Sequence, residues 1–463
     1  MADLRVDGAD WLLTLDRDRR IVRDGAVAVA DGRIVAVGKT AEVAAQHPAT
    51  RVISARGKVV TPGLVDSHIH TTFQMSRGLA DEVGSKQFLF ERMYPYEAAL
   101  DEEDALASIR LCVLELLKNG VTTFIDAGNY QPHFTAEVAG AAGMRCVVAR
   151  SSFDVATSAM GALPPSFIET TDQALARAEE VVQKLHGTHD GRVQAWFQFR
   201  GLNNSTDRLI VELKRLADRY GVGVQTHACF ARDTMEASKA RHGVTEIARL
   251  ARLGVLGPNV LLIHVGWATD EELELLRRHD VKCVAAPSSS LHNAYGNIAH
   301  GHIPELLEAG VTVGLGSDHA SSGVVDLCQE MFLVAGGYKE VRTNASVLPP
   351  ERVLEMATVN GARCAQRAGE IGALEVGRRA DLVLFDTARA EWQPLYNPVA
   401  NLVYSATGRS VDTVIVDGRV LVEGGRALTL DEDAIIEEAR RRAPGILAKT
   451  KLADLVVPKW PVV

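Results

Sequence analysis

Five residues of this chain carry side chains that bind metals and move protons, and each stands at the end of an apolar run. His68 and His70 close the stretch Val-Val-Thr-Pro-Gly-Leu-Val-Asp-Ser-His-Ile-His at 59–70. Two residues apart on a strand, they point the same way. Two imidazoles side by side at a strand end hold one metal ion. His227 ends Val-Gln-Thr-His, His264 ends Leu-Leu-Ile-His, and Asp318 follows Gly-Leu-Gly-Ser. Taken singly, a buried histidine is a hydrogen-bonded core residue as readily as a ligand. Burying several polar groups together is costly unless they share a partner. Four imidazoles and a carboxylate at one place read as a metal site with a proton carrier beside it.

One place requires an architecture that brings those strand ends together. Strand-like runs fall at 63–68, 121–125, 145–149, 193–199, 222–227, 260–264, 281–285 and 311–315. Amphipathic stretches at 102–118, 171–185, 206–220 and 270–279 separate them. Eight strands in βα alternation predict a (β/α)8 barrel, whose strands converge by their C-terminal ends on one mouth. A doubly wound sheet is the alternative, but no G-x-G-x-x-G follows the first strand. Residues 4–60 read instead as short strands and turns, with Asp31-Gly32 as a hairpin signal. Residues 380–385 and 414–422 repeat that style around Asp417-Gly418. The expected organisation is a distorted barrel at 61–368 and a small β-sandwich from both termini (1–60 and 369–430). A charged helix at 431–442 and an irregular tail to 463 follow.

Composition narrows the function classes. At 463 residues with 47% hydrophobic and 24% charged, the chain is globular in composition and long enough for a barrel plus a smaller domain. A formal charge of −9 without a basic stripe argues against nucleic acid as a partner. No apolar run suits a membrane span or a signal peptide. Six cysteines without C-x-x-C spacing fit reduced thiols. A cytoplasmic location, a small-molecule substrate and a homo-oligomer are expected.

The ordered motifs resemble the amidohydrolase superfamily over nearly the whole chain. They are Pro62-Gly-Leu-Val-Asp-Ser-His-Ile-His70, His227, His264, Gly316-Ser-Asp318 and the closing Ile371-Gly-Ala-Leu-Glu-Val-Gly-Arg-Arg-Ala-Asp-Leu-Val383. The resemblance implies the barrel, the sandwich and a catalytic divalent metal. It makes His68, His70, His227 and Asp318 metal ligands, with His264 as a hydrogen-bond partner of water or substrate oxygen. Two-metal members bridge their ions with a lysine or carboxylate on the fourth or third strand. Here Val193-Gln-Ala-Trp-Phe-Gln-Phe-Arg200 has neither, and Asp154 is the only acid near the third. One ion per chain is expected, as zinc, cobalt or iron; were a second to bind, His264 is its ligand. A bound divalent ion lowers the pKa of water and polarises the attacked group. Asp318 then moves the water proton to the leaving group, and His264 stabilises the developing charge.

Four positions depart from the superfamily's deaminases and triazine hydrolases. Those carry His-x-x-Glu after the fifth strand, and the glutamate protonates a ring nitrogen. Here the stretch is His227-Ala-Cys-Phe230. Ser317-Asp318-His319 stands for Thr-Asp-Gly, Ala285-Ala286-Pro287 for His-Cys-Pro, and Trp267 for a second histidine. His-Ala-Cys-Phe-Ala-Arg-Asp-Thr-Met-Glu and Gly-Asn-Ile-Ala-His-Gly-His resemble the phenylurea and molinate (thiocarbamate) hydrolases. That resemblance implies hydrolysis of an N-substituted urea, carbamate or thiocarbamate, which needs no ring-nitrogen acid. Phe230, Trp267, Asn297 and His319 are the expected substrate-pocket residues, with Phe73, Met75 and Tyr295 as apolar neighbours. The alternative is an aminohydrolase of a purine, pyrimidine or s-triazine. A non-catalytic binding protein on the same fold is the remote one. The loop at 288–302, with His292, His300 and His302, is expected to line the pocket rather than bind metal.

Overall fold

The computed structural model describes residues 1–462. Eight parallel strands form the central sheet: β1 (Leu64–Ile69), β2 (Val121–Asp126), β3 (Arg145–Ala149), β4 (Val193–Gly201), β5 (Val224–Ala228), β6 (Val260–His264), β7 (Lys282–Ala285) and β8 (Val313–Leu315). They lie in sequence order, each hydrogen-bonded to the next. β1, β2 and β3 are buried at every position, as is β6. A parallel strand covered by helices outside and side chains inside has no wet face, so even the polar residues of β1 and β2 are buried. Helices fill the connections. The helix Glu102–Lys118 is capped by Asp101, whose carboxylate accepts from the Asp104 N–H, and it starts with acids and ends on Lys118. That charge order suits the helix dipole.

The barrel closes through the site itself. Ile69 bridges Asp318 in parallel; the His70 N–H donates to the Asp318 carbonyl at 2.6 Å, and the Asp318 N–H to the His68 carbonyl at 2.9 Å. Strand closure therefore wedges Asp318 between His68 of β1 and His70 just beyond it.

The termini meet in a second layer. Ala2–Ala9, Gly25–Ala30, Arg33–Lys39 and Ala49–Ser54 form one sheet. In the other, Lys58–Pro62 pairs antiparallel with Leu382–Asp386, so amino- and carboxy-terminal segments share a ladder. Leu4, Val27, Ile34, Val60, Leu384 and Ile415 pack between them. Both Asp-Gly hairpins have two consecutive positive φ angles, 49° and 71° at Asp31-Gly32 and 49° and 73° at Asp417-Gly418. These are the type I′ conformations that match strand twist. The carboxy-terminal helix runs further than its charge pattern indicates, from Glu432 through Pro444 to Thr450. Tertiary packing carries it past the proline. Ile446 joins Phe73, Phe88 and Tyr96 in one apolar cluster, and Arg442 pairs with Asp104. The helix thus braces the segment after β1 that roofs the barrel mouth. Among the described residues no helix is long and apolar enough to cross a membrane.

Candidate metal centre

His68, His70 and His227 present ligand nitrogens within 4.8 Å of one another, and so do His68, His264 and Asp318 with theirs. The first group comes from β1 and β5. The second adds the ends of β6 and β8. The backbone is strained where these side chains are aimed: φ is positive at Cys229 (53°), His264 (78°), Val265 (45°) and Asp318 (62°). Such angles cost roughly 1–3 kcal/mol each in non-glycine residues, and a β-branched valine there is a clear outlier.

The donor set fits a cation. His68 is fully buried, yet neither ring nitrogen has a hydrogen-bond partner, and the same holds for His70 Nδ1 and His264 Nδ1. His227 Nδ1 lies 2.8 Å from the Arg200 carbonyl, which accepts from it, so Nε2 carries the lone pair. That lone pair faces His70 Nε2 at 3.3 Å. Two imidazole nitrogens held face to face want a shared positive charge, and the carbonyl behind His227 fixes its ring as metal-binding histidines are usually fixed. Asp318 Oδ1 is 3.2 Å from His68 Nε2 and 3.5 Å from His70 Nε2. Its Oδ2 turns the other way, 3.7 Å from both His264 Nε2 and His319 Nε2. One oxygen faces the His68/His70 pair and the other faces the cavity-lining His264 and His319.

Protonation states agree. Burial pushes His70 and His227 well below the ordinary histidine value, helped by Arg200 and His68 respectively, and brings His264 down to about 4. These rings are neutral near pH 7, as metal ligands must be. Burial resists ionisation of Asp318, but His319, His68 and His264 outweigh it and hold the carboxyl well below the usual range.

Asp66 positions two of these groups and is a residue that spacing alone does not single out. Buried between β1 and β8, it accepts from the His68 N–H at 3.1 Å and from the Ser317 N–H at 3.2 Å. Burial lifts its carboxyl to about 6, with the Ser317 and His68 hydrogen bonds opposing. Its place in Val-Asp-Ser-His, two residues before His68, is the available signal.

Above the cluster lies a cavity whose wall includes His70, His227, His264 and Asp318. Phe73 stacks on His70 at 4.8 Å, Phe88 on His319 at 4.7 Å, and Phe230 lies 5.4 Å from Tyr295. Phe230 and His319 line this cavity; Trp267, Asn297 and Met75 do not. Trp267 spends its indole N–H on the Tyr295 carbonyl at 2.7 Å and stacks on His300. Asn297 sits behind His264, lining a smaller separate cavity. The pocket expectation therefore needs correcting at Trp267 and Asn297: the loops after β6 and β7 pack on each other, away from this cavity. Its histidines also turn away: His292 pairs with Asp81, His300 stacks on Trp267, and His302 flanks the helix Ile303–Glu308. Asp154 is engaged by Thr171 and Thr206, outside the cluster. Asn203, Thr234 and Glu246, which no strand-end motif singles out, also line the cavity.

The amidohydrolase family model matches residues 59–421. The chain belongs to this family. It is a metal-dependent hydrolase acting on carbon–nitrogen bonds, which sets aside the binding-protein alternative. A short amino-terminal stretch, 25–49, also matches the imidazolonepropionase-like composite domain of bacteria. The chain is 33% identical over 450 residues to a 5'-deoxyadenosine deaminase of Methanosarcina acetivorans, covering 97% of this chain and 99% of that one. It is 34% identical over 430 residues to a 5-methylthioadenosine/S-adenosylhomocysteine deaminase of Syntrophobacter fumaroxidans, covering 93% and 95%. Among solved structures, an adenosine deaminase of Xanthomonas campestris with bound zinc superposes with a TM-score of 0.89 at 27% identity, covering 96% and 99%. These relatives are named as adenosine-type deaminases. They support the superfamily assignment and give none to the finer likeness with phenylurea and molinate hydrolases.

The role of His264 has its own test. Its Nε2 faces the cavity-side oxygen of Asp318, and it lies outside the β1–β5 histidine trio. His264→Asn is expected to keep about one ion per chain and to slow turnover by roughly 10²–10³-fold, the effect of losing one charge-stabilising donor. Metal analysis beside kcat checks this. Two ions falling to one on substitution would make His264 a ligand instead.

Proposed function

We propose that this enzyme hydrolyses a C–N bond at an amidine-type carbon of a nitrogen heterocycle, releasing ammonia or an amine. The observation that carries the reading is the buried His68/His70/His227/Asp318 cluster, in which neither ring nitrogen of His68 has a hydrogen-bond partner, beneath an aromatic-walled cavity. Stacking faces such as Phe88 and Phe230 suit a flat ring. The full-length likeness to adenosine-type deaminases supports a heterocycle over an acyclic urea.

His68, His70, His227 and Asp318 would hold one divalent ion. When bound, the ion supplies a positive charge that lowers the pKa of water and polarises the attacked group. Asp318 is ionised, and its Oδ2 faces the cavity, so it takes a proton there and returns it to the leaving nitrogen. Neutral His264 donates or accepts a hydrogen bond at the oxygen being added. Phe73, Phe88 and Tyr295 exclude water from the rest of the cavity.

One observation favours a second reading. Phe230 stands three residues after His227 and bears no proton, which suits a urea, carbamate or thiocarbamate carbonyl. A panel of aminated purines, pyrimidines and triazines is therefore assayed beside phenylureas, carbamates and thiocarbamates, with zinc or cobalt at equal enzyme. The heterocycles are expected to be turned over at least about 100-fold faster, a difference of roughly 2.7 kcal/mol in barrier. Turnover of acyclic carbonyls alone would replace the first reading with the second.

A further inference from the structure

Hydrolysis at a ring amidine has a proton requirement that Phe230 leaves unmet. As water oxygen bonds to the carbon, the C=N electron pair moves onto the ring nitrogen, which must then take a proton. Asp318 is occupied with the water proton. A second acid has to stand in the same cavity.

Glu246 stands there. It opens the helix Glu246–Arg252 and lines the cavity shared by His264 and Phe230. Only 2% of its surface is exposed. One carboxyl oxygen accepts from the Cys229 N–H, the residue immediately before Phe230; the other accepts from the Asn203 amide at 3.1 Å. It is therefore anchored within one residue of the position whose side chain lacks a proton. Among the described residues it has no ion-pair partner. Arg249 on the same helix is committed to Asp207 and to the carbonyls of Leu202 and Ser205.

We propose that Glu246 is the proton-bearing catalytic acid for the ring nitrogen, taking from the neighbouring backbone the place that Phe230 cannot fill. The assignment rests on the heterocycle reading above. Burial raises its carboxyl to about 7, opposed by the Cys229 and Thr234 hydrogen bonds and reinforced by Glu272. An acid tuned near the working pH is both protonated often enough and willing to give the proton up. The protons balance. Glu246 gives its proton to the ring nitrogen while Asp318 takes one from water. Asp318 then protonates the exocyclic nitrogen, whose bond to carbon breaks. The hydroxyl proton released as the carbonyl forms restores Glu246. Water contributes two protons, one to the ring N–H and one to the departing amine.

The test uses the metal-loaded enzyme and an aminated heterocycle that the wild type turns over. Glu246→Gln keeps the shape and removes the acid. It is expected to lower kcat by roughly 10²–10⁴-fold with metal content and melting temperature unchanged. Wild-type kcat is expected to fall as pH rises through about 7, because the protonated form is the active one, and Glu246→Gln is expected to lack that limb. Adding Phe230→Glu to Glu246→Gln is expected to recover at least about tenfold, since a carboxyl returns to the same wall. Activity of Glu246→Gln within threefold of wild type, or a high-pH limb that persists in it, overturns the assignment. If the variant loses metal or melts early, the wild-type profile decides alone: kcat level up to about pH 9 excludes an acid of this kind. An enzyme that turns over no aminated heterocycle fails at the reaction reading, and the assignment falls with it. Turnover by wild type with an unaffected variant removes Glu246 only.

Discussion

Asp318→Asn is expected to lower kcat by roughly 10²–10⁴-fold, the worth of a positioned proton carrier, and to weaken metal binding at the same time. The two losses have separate origins in one carboxylate. Oδ1 sits against His68 and His70, while Oδ2 faces His264 and His319. The amide keeps the size and a carbonyl oxygen but no negative charge and no proton to cycle. It removes the charge that offsets a cation among three neutral rings. His227→Ala separates the two effects. It removes the proposed nitrogen ligand whose Nδ1 is fixed by the Arg200 carbonyl and leaves Asp318 in place. Its activity is expected to return in part with excess zinc or cobalt, whereas that of Asp318→Asn is not. Metal content by mass spectrometry, read beside kcat across a metal titration, checks both. Full occupancy and normal turnover in either variant would dismantle the site as described.

The barrel was readable because buried parallel strands leave short, largely apolar runs, and eight such runs recur along the chain with amphipathic stretches between several of them. Strand-end residues inherit their convergence from the barrel, so His68, His70, His227, His264 and Asp318 could be placed at one mouth from order alone. What the order could not show was which way loops fold after they leave a strand. Trp267 and Asn297 lie on the loops after β6 and β7, yet the indole N–H finds the Tyr295 carbonyl and the two loops pack on each other. Glu246 is the reverse case. It is 19 positions beyond His227 in a charged helical stretch and reads as surface, but its helix begins under the β5 turn and buries it. Helix termini tucked beneath active-site turns have no period to betray them. The carboxy-terminal helix likewise continues through Pro444 because Ile446 has an apolar cluster to enter, a contact invisible to local propensity.

Arg145→Met is expected to cost about 3–5 kcal/mol of stability, the usual effect of removing one partner from a buried ion pair. Arg145 begins β3 with only 1% of its surface exposed. Its guanidinium meets the Asp381 carboxylate twice, at 2.8 and 3.2 Å, and also reaches Asp417. Burial opposes its charge, but Asp381 and Asp417 outweigh that and hold it above the ordinary arginine value. Asp381 in turn accepts from the Asp417 N–H at 2.9 Å, at the tip of the Asp417-Gly418 hairpin. The closing motif Gly-Arg-Arg-Ala-Asp-Leu-Val is thus structural, and its aspartate bolts the terminal sheets to the barrel. Methionine fills the volume without the charge and leaves the buried Asp381 carboxylate without its cationic partner. Arg145→Lys keeps the charge but loses the two-pronged geometry, so a smaller loss is expected. Arg145→Met with Asp381→Leu removes both charges and is expected to regain part of the stability, because a matched apolar replacement of a buried pair is often near neutral. Urea unfolding of the three variants reads the difference. A loss below about 1 kcal/mol for Arg145→Met, the scale of a surface pair, would mean that water reaches the junction and that the hairpin, not the ion pair, holds the two layers together.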